Sequence, residues 1–114
     1  MRIKLNISEP WELGEAIGWR ALTGVQLQLD DFEGLERALV RLDEPISFDG
    51  NDWTYVVCTP RHSHDRLSKL DRTQSIMCAI MGISATQAMS DRPMQIDSWR
   101  GGLACIGDIA LADQ

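Results

Sequence analysis

Apolar and polar residues alternate with a period of two in several separate stretches of this chain. In residues 2–7, isoleucine and leucine positions are separated by arginine, lysine and asparagine, and residues 24–30 alternate in the same way. Successive side chains of a β-strand point to opposite faces, so this pattern is typical of a strand with one buried face. The alternation predicts a fold that is built mainly from strands.

Residues 31–43 fit two patterns. A helix would gather four apolar side chains on one face: Phe32, Leu35, Leu39 and Leu42. A strand would gather five on one face: Ala38, Val40, Leu42, Ile46 and Phe48. Because the strand leads directly into a turn signal at residues 49–52, we predict a β-hairpin over residues 36–58, with a helix over 31–43 as the alternative.

The remaining elements complete a chain of about six strands. Residues 75–83 form an apolar run that predicts a strand buried on both faces, and residues 103–111 predict the last strand. Ser8 is a candidate N-cap for a short helix over residues 11–17, residues 63–70 suggest a short helix or turn, and residues 85–90 suggest one helical turn. No βαβ alternation is present, so we expect one mainly β domain over residues 1–114, a small antiparallel barrel or sandwich, with an α+β fold as the alternative.

Charge and composition narrow the classes of function. The 114 residues carry a net charge of −6, which disfavours nucleic acid and anionic membranes as partners. The N-terminal residues resemble no export signal, and no apolar run reaches the roughly 18 residues of a membrane span, so we expect a cytoplasmic protein. The three cysteines, Cys58, Cys78 and Cys105, lie in apolar runs and are expected to be reduced and buried. We expect no cofactor.

One polar segment reverses the charge of the chain. Residues 61–72 hold four Arg or Lys and two Asp, a charge of +2, so the rest of the chain carries −8. Both histidines of the chain lie here. His62 and His64 could bind a metal ion with Asp65 or Cys58, although the spacing matches no standard zinc signature. Either histidine could instead act as a general base beside Asp65, with Ser63 or Ser68 as the nucleophile.

Two further interpretations of the same segment involve no catalysis. Arg61, Arg66 and Arg72 could hold an anion or the acidic surface of a partner. The simplest interpretation is a solvated turn or short helix whose Leu67 and Leu70 dock on the barrel.

Two tryptophans precede an arginine at the ends of predicted elements. An indole beside a guanidinium can stack on a flat ligand or anchor a partner, and it can equally close the end of a barrel. With these pairs, the candidate binding residues are Trp19, Arg20, Arg61, His62, His64, Asp65, Arg66, Trp99 and Arg100.

Glu44 interrupts the inward face of the predicted hairpin. Either it is a buried carboxylate, or Pro45 marks a β-bulge and Glu44 faces water, which we favour.

The common nucleotide-binding and hydrolase motifs are absent from the sequence. We therefore expect a binding module without enzymatic activity, which contacts a protein partner or a second copy of itself. The alternative is a barrel that binds a small ligand or metal through His62, His64 and Asp65 and catalyses hydrolysis.

Overall fold

The alternating stretches form the strands of a closed antiparallel barrel. The computed structural model describes residues 1–9, 21–32, 34–48, 50–62, 64–94 and 104–112. Each strand pairs with the next along the chain, and the last returns to pair with the first. The six strands are β1 (Arg2–Glu9), β2 (Ala21–Phe32), β3 (Leu35–Phe48), β4 (Asn51–Pro60), β5 (Ile76–Ile83) and β6 (Ala104–Leu111). The prediction of a small mainly β domain is confirmed, and the closure makes it a barrel.

Apolar side chains on the inner faces of the strands fill the barrel. Each side chain of this interior cluster is at most 5% exposed, and the half-buried Leu29 and Trp53 pack against it. The cluster comprises Ile3, Leu5, Ile7, Leu22, Ala38, Val40, Leu42, Ile46, Val56, Cys58, Leu67, Ile76, Cys78, Ile80, Cys105 and Ile109. The alternation of apolar and polar residues therefore determines which side chains form the core, because every second residue of a strand points inward.

A smaller apolar cluster lies on the outside of the barrel. Leu39, Val57 and Ile83 point outward from three adjacent strands, and Ala88 and Met94 pack over them. Ala88 belongs to α1 (Ala85–Ala88), the single helical turn that residues 85–90 predict. The predicted burial of β5 on both faces is wrong for its first half, where Met77 is exposed and Ala79 is half-buried. Among the described residues, α1 and Met94 cover the outer face at the second half of β5.

The ambiguous segment is two strands rather than a helix. β2 and β3 meet at a tight turn after Phe32, where Gly34 has a φ of +90°, and Phe32 pairs with Leu35. β3 and β4 form the predicted hairpin, with Gly50 at a φ of +78° in the connection. The helix alternative for residues 31–43 is wrong because Leu39 points outward while Leu42 points inward, so the four apolar residues share no face.

A bulge interrupts β3 where the sequence indicates it. The pairing between β3 and β4 shifts register between Arg41 and Ile46, and Glu44 is exposed. Pro45 has no N–H to donate to a ladder, which explains why regular pairing stops there. The prediction that Glu44 faces water is confirmed.

The helix N-cap assigned to Ser8 is wrong. β1 continues through Ser8 to Glu9, which pairs with Ile106 of β6 after a register shift. Because the strand continues past Ser8, no helix begins at that residue. The helix expected over residues 11–17 lies outside the described residues. Within the described ranges, no helix combines the length and hydropathy needed to cross a bilayer.

Candidate functional site

The basic segment (residues 61–72) lies across one end of the barrel, between β4 and β5. It contains one 3-10 turn, Leu67–Lys69, which begins only at Leu67 because Arg66 has an extended backbone. Leu67 is buried in the interior cluster, and the half-buried Leu70 packs against it. The prediction that both leucines dock on the barrel is confirmed. We call this end, with the β2–β3 turn beside it, the capped end.

Glu36, near the start of β3, anchors the basic segment to the barrel. It is 4% exposed, and its carboxylate accepts hydrogen bonds from the backbone N–H groups of Leu67 at 2.7 Å and Ser68 at 3.2 Å. These N–H groups begin the 3-10 turn and have no partner within it, so the carboxylate acts as a cap from a distant strand. The sequence analysis did not name Glu36 as a candidate residue. Glu36 precedes Ala38 and Val40 by two and four residues, so the alternation of the strand places it on the same inner face.

Arg66 connects three parts of the capped end. Its Nε lies 3.2 Å from Oε1 of Glu36, and its Nη2 donates to Oδ2 of Asp31 at 2.9 Å. A weaker bond of 3.4 Å reaches the carbonyl oxygen of Gly34. The hydrogen bond from Arg66, together with one from the Gly34 N–H, lowers the pKa of Asp31. Arg66 is therefore engaged by two carboxylates and a backbone carbonyl group of its own molecule.

The two histidines form a stacked pair at the surface. The ring centroids of His62 and His64 are 5.6 Å apart with an interplanar angle of 21°, and both residues are exposed. Nε2 of His64 lies 3.6 Å from Oδ1 of Asp65, which is longer than a hydrogen bond. The pair therefore lacks the hydrogen bond by which a carboxylate orients a catalytic imidazole. Ser63, a suggested nucleophile, lies outside the described residues.

The suggested metal site is not assembled in the described part of the chain. Cys58 points into the barrel, where burial, and then the neighbouring Cys78 and Cys105 thiols, raise its pKa well above 9.0. His62 and His64 lie on the outside of the molecule. No three His, Cys, Asp or Glu residues among those described form a group that could hold a metal ion.

Three cations of the basic segment point to solvent. Arg61, Lys69 and Arg72 are exposed, and no carboxylate in the described ranges lies within ion-pair distance of them. Oδ1 of Asp71 accepts hydrogen bonds from the N–H and the hydroxyl of Thr73 at 2.8 and 2.6 Å. These bonds lower the pKa of Asp71. Three of the four cations of the segment are thus exposed without an ion pair to a described residue, and the fourth, Arg66, is engaged by Asp31 and Glu36.

Exposed apolar side chains surround this basic segment. Phe32 is 38% exposed, Leu35 41% and Met77 41%. The N–H of Arg61 donates to the carbonyl oxygen of Met77 at 2.9 Å, and Arg66 reaches the Gly34 carbonyl between Phe32 and Leu35. Cations and apolar groups are therefore neighbours at the capped end.

Both Trp-Arg pairs, which consist of Trp19, Arg20, Trp99 and Arg100, lie outside the described residues. Trp53 is described, and it packs against the barrel interior at the opposite end. A groove of about 480 Å³ beside it is lined by Trp53, Tyr55 and Ser84 among others, and by none of the described candidate residues.

Comparisons with protein-family models, with curated proteins and with solved structures found no match to this chain.

Proposed function

We propose that this chain is a binding module without enzymatic activity, which acts by contacting a protein partner or a second copy of itself at the capped end. The observation that carries the proposal is the concentration of exposed apolar side chains there. Phe32, Leu35 and Met77 are each more than a third exposed, next to the cations of the basic segment. Apolar anchors beside arginines are the typical composition of the centre of a protein interface.

The filled interior supports a surface function. The side chains that point inward from all six strands pack against one another, and Leu67 and Leu70 cover them at the capped end. Barrels that enclose a ligand need space between opposite walls, whereas small barrels are filled by their own side chains. A partner of this barrel therefore contacts its outside.

The test compares exposed apolar residues at the capped end with one elsewhere. We expect Leu35→Glu and Met77→Glu to abolish association without loss of the fold, because both side chains are exposed in the free protein. Met89→Glu is the matched control, since Met89 is 69% exposed and follows α1. Association is measured by light scattering across a concentration range and by quantitative affinity capture with each variant as bait.

Two outcomes would contradict the proposal. One is a strictly monomeric protein that captures no partner. The other is an association that Met89→Glu reduces as much as Leu35→Glu and Met77→Glu do, because the contact would then lie outside the capped end.

A further inference from the structure

We infer that a partner protein binds the capped end by adding an extended segment, as a further β-strand, to the free edge of β2. The free edge is the side of residues 27–32 that faces away from β3. This inference rests on the proposed function, because the free edge runs to the β2–β3 turn of the capped end. The occupant is an extended segment that is rich in apolar side chains and has no acidic residue.

β2 is longer than the strand beside it. Its ladder with β1 ends at Val25, and the N–H of Gln26 then donates to the carbonyl oxygen of Met1 at 2.9 Å. Beyond Gln26, in the described part of the chain, β2 pairs only with β3 as far as Phe32. At about 3.3 Å per residue, the free edge is about 20 Å long, which is the length of an ordinary strand. The N–H and C=O groups that point away from β3 therefore offer a site for one more strand.

Exposed apolar side chains lie along the free edge. Leu27 is 45% exposed and Phe32 38% exposed, and they lie at its two ends. Met1 is 54% exposed, and its hydrogen bond with Gln26 places it beside the beginning of the free edge. A long edge that combines unpaired backbone groups with exposed apolar side chains is a template for pairing with another chain.

The features by which many proteins protect an open edge are missing from this stretch. Residues 27–32 include no lysine and no proline, and the β-bulge of β2 lies at their beginning, so the pairing beyond it is regular. Their two carboxylates have cations beside them. Asp30 lies opposite Arg37 on β3, and Asp31 accepts a hydrogen bond from Arg66. The edge is therefore open to an incoming strand.

A groove beside the free edge provides space for a side chain of that strand. The groove has a volume of about 330 Å³ and is lined by Asp30 and Phe32 of β2 and by residues 91–94. Neither of the β3 residues opposite them, Leu35 and Arg37, lines it, so the groove lies on the free side of β2. Added strands bind through main-chain hydrogen bonds, and pockets for alternate side chains give specificity. The ring of Phe32 suits an apolar side chain in this groove.

A partner segment fits the free edge better than a second copy of this chain. Each copy carries a net charge of −6, which opposes the approach of two copies. Edge-to-edge pairing would also bring Asp30 and Asp31 of both copies into one short ladder, where like charges destabilise pairing. A segment without acidic residues introduces neither form of repulsion.

Binding of a defined peptide tests the inference. The probe is a labelled peptide of about eight alternating valines and threonines, which favour an extended strand and carry no side-chain charge. Its counterpart has a methyl group on every backbone nitrogen, so it keeps the side chains but donates no main-chain hydrogen bond. The test variant is Leu27→Lys, and the matched control is Met89→Lys, which places the same charge at an exposed side chain after α1. Circular dichroism verifies that both variants are folded.

We expect the unmethylated peptide to bind with a dissociation constant below about 1 mM in fluorescence anisotropy, and the methylated peptide not to bind. Leu27→Lys should weaken binding at least about fivefold, because the added strand loses an apolar neighbour and meets a charge. Met89→Lys should change binding by less than about twofold.

Amide hydrogen exchange, followed by NMR, locates the bound peptide. With the peptide at about ten times its dissociation constant, the N–H groups of residues 27–32 that do not donate to β3 should exchange about tenfold more slowly. The exchange of these groups distinguishes strand addition from a contact through side chains alone.

Several results would overturn the inference. They are no saturable binding up to about 1 mM peptide, equal binding of the methylated peptide, equal losses in Leu27→Lys and Met89→Lys, or unchanged exchange within residues 27–32. A dimer that Leu27→Lys dissociates would make a second copy the occupant, against the inference. If association persists in Leu27→Lys but is lost in Leu35→Glu and Met77→Glu, the inference fails while the proposed function stands. A monomer that captures no partner contradicts both.

Discussion

Among the described residues, Glu36 is the charged side chain that the fold buries, and its environment explains how a carboxylate is tolerated there. It accepts two backbone hydrogen bonds and pairs with the guanidinium of Arg66. A buried carboxylate is costly unless such partners are present. The same hydrogen bonds and ion pair join β3 to the basic segment. They offset the desolvation cost of the Glu36 carboxylate and hold the capped end in place.

We predict that Glu36→Ala destabilises the protein by about 2–4 kcal/mol, because the buried N–H of Leu67, the part-buried N–H of Ser68 and the guanidinium of Arg66 lose their acceptor. Glu36→Gln retains one carbonyl oxygen as an acceptor and is expected to cost about half as much. Urea unfolding of both variants measures the free energies. A loss below about 0.5 kcal/mol in Glu36→Ala, the size of an ordinary surface effect, would contradict this anchoring role.

Asp43 makes stability depend on acid pH. Hydrogen bonds from Arg2 and from the hydroxyl of Thr23 lower the pKa of Asp43 from 3.8 to about 2. A carboxyl group whose pKa is lower in the folded state contributes stability above its unfolded value, and that contribution is lost as pH falls through the folded value.

We therefore expect the stability difference between the unmodified protein and Asp43→Asn to be full above pH 3.8 and to shrink towards pH 2. Urea midpoints of both proteins between neutral and acid pH provide the measurement. Asp31 and Asp71 are present in both proteins, so their own acid effects cancel in the comparison. A difference that grows on acidification would disprove this assignment.

At the scale of single elements, two glycines permit close approach of neighbouring strands. A Cβ on Gly107 of β6 would lie 2.4 Å from the carbonyl oxygen of Asn6 on β1, and one on Gly24 of β2 would lie 2.5 Å from that of Arg41 on β3. Both contacts are with backbone atoms, so they cannot be relieved by a change of rotamer. Gly107 thus lies at the seam where β6 closes the barrel on β1.

We predict that Gly107→Ala destabilises the protein by about 2–3 kcal/mol, because β1 and β6 must separate to admit the methyl group. Gly50→Ala is the control: its φ of +78° strains an alanine, but no heavy atom lies within 4 Å of the new Cβ. We expect about 1 kcal/mol there. Equal losses in urea unfolding would mean that the seam accommodates the methyl group.

The whole molecule depends on closure of the barrel. β6 pairs with both β5 and β1, and these ladders give every strand of the described barrel a neighbour on each side. Open edges expose backbone groups that pair with other chains. Closure also joins the two ends of the sequence, since Ile3 pairs with Leu111 and the N–H of Ala112 donates to the carbonyl oxygen of Arg2.

We predict that deletion of residues 104–114 yields an unfolded or aggregated chain, because the interior opens and β1 and β5 become edges. A circular permutant that joins residue 114 to residue 1 by a short linker and opens the chain between residues 49 and 50 keeps all six strands and should fold. Circular dichroism and size-exclusion chromatography distinguish the two. A folded, monomeric deletion variant would show that closure is dispensable.

Sequence periodicity determined the strands and which of their faces point inward. The period of two follows from backbone geometry, so it indicates β1, β2 and the β3–β4 hairpin without knowledge of their neighbours. The apolar runs around the three cysteines predict that they are buried, and the structure finds all three as free, buried thiols. Pro45 predicted the position of the bulge for a reason that is also local, because proline has no backbone N–H to donate to the neighbouring strand.

Contacts between distant residues were decided by the tertiary structure alone. Whether the strands form a barrel or a sandwich depends on the pairing of β1 with β6, which brings together opposite ends of the chain. Glu36 meets the N–H of Leu67 across 31 residues of sequence, and Arg66, a candidate binding residue, is engaged with Asp31. No pattern of neighbouring residues predicts contacts between residues that are so far apart in the sequence. The sequence therefore indicated that residues 61–72 form an unusual segment, and the fold decided which of its charges face inward and which remain exposed.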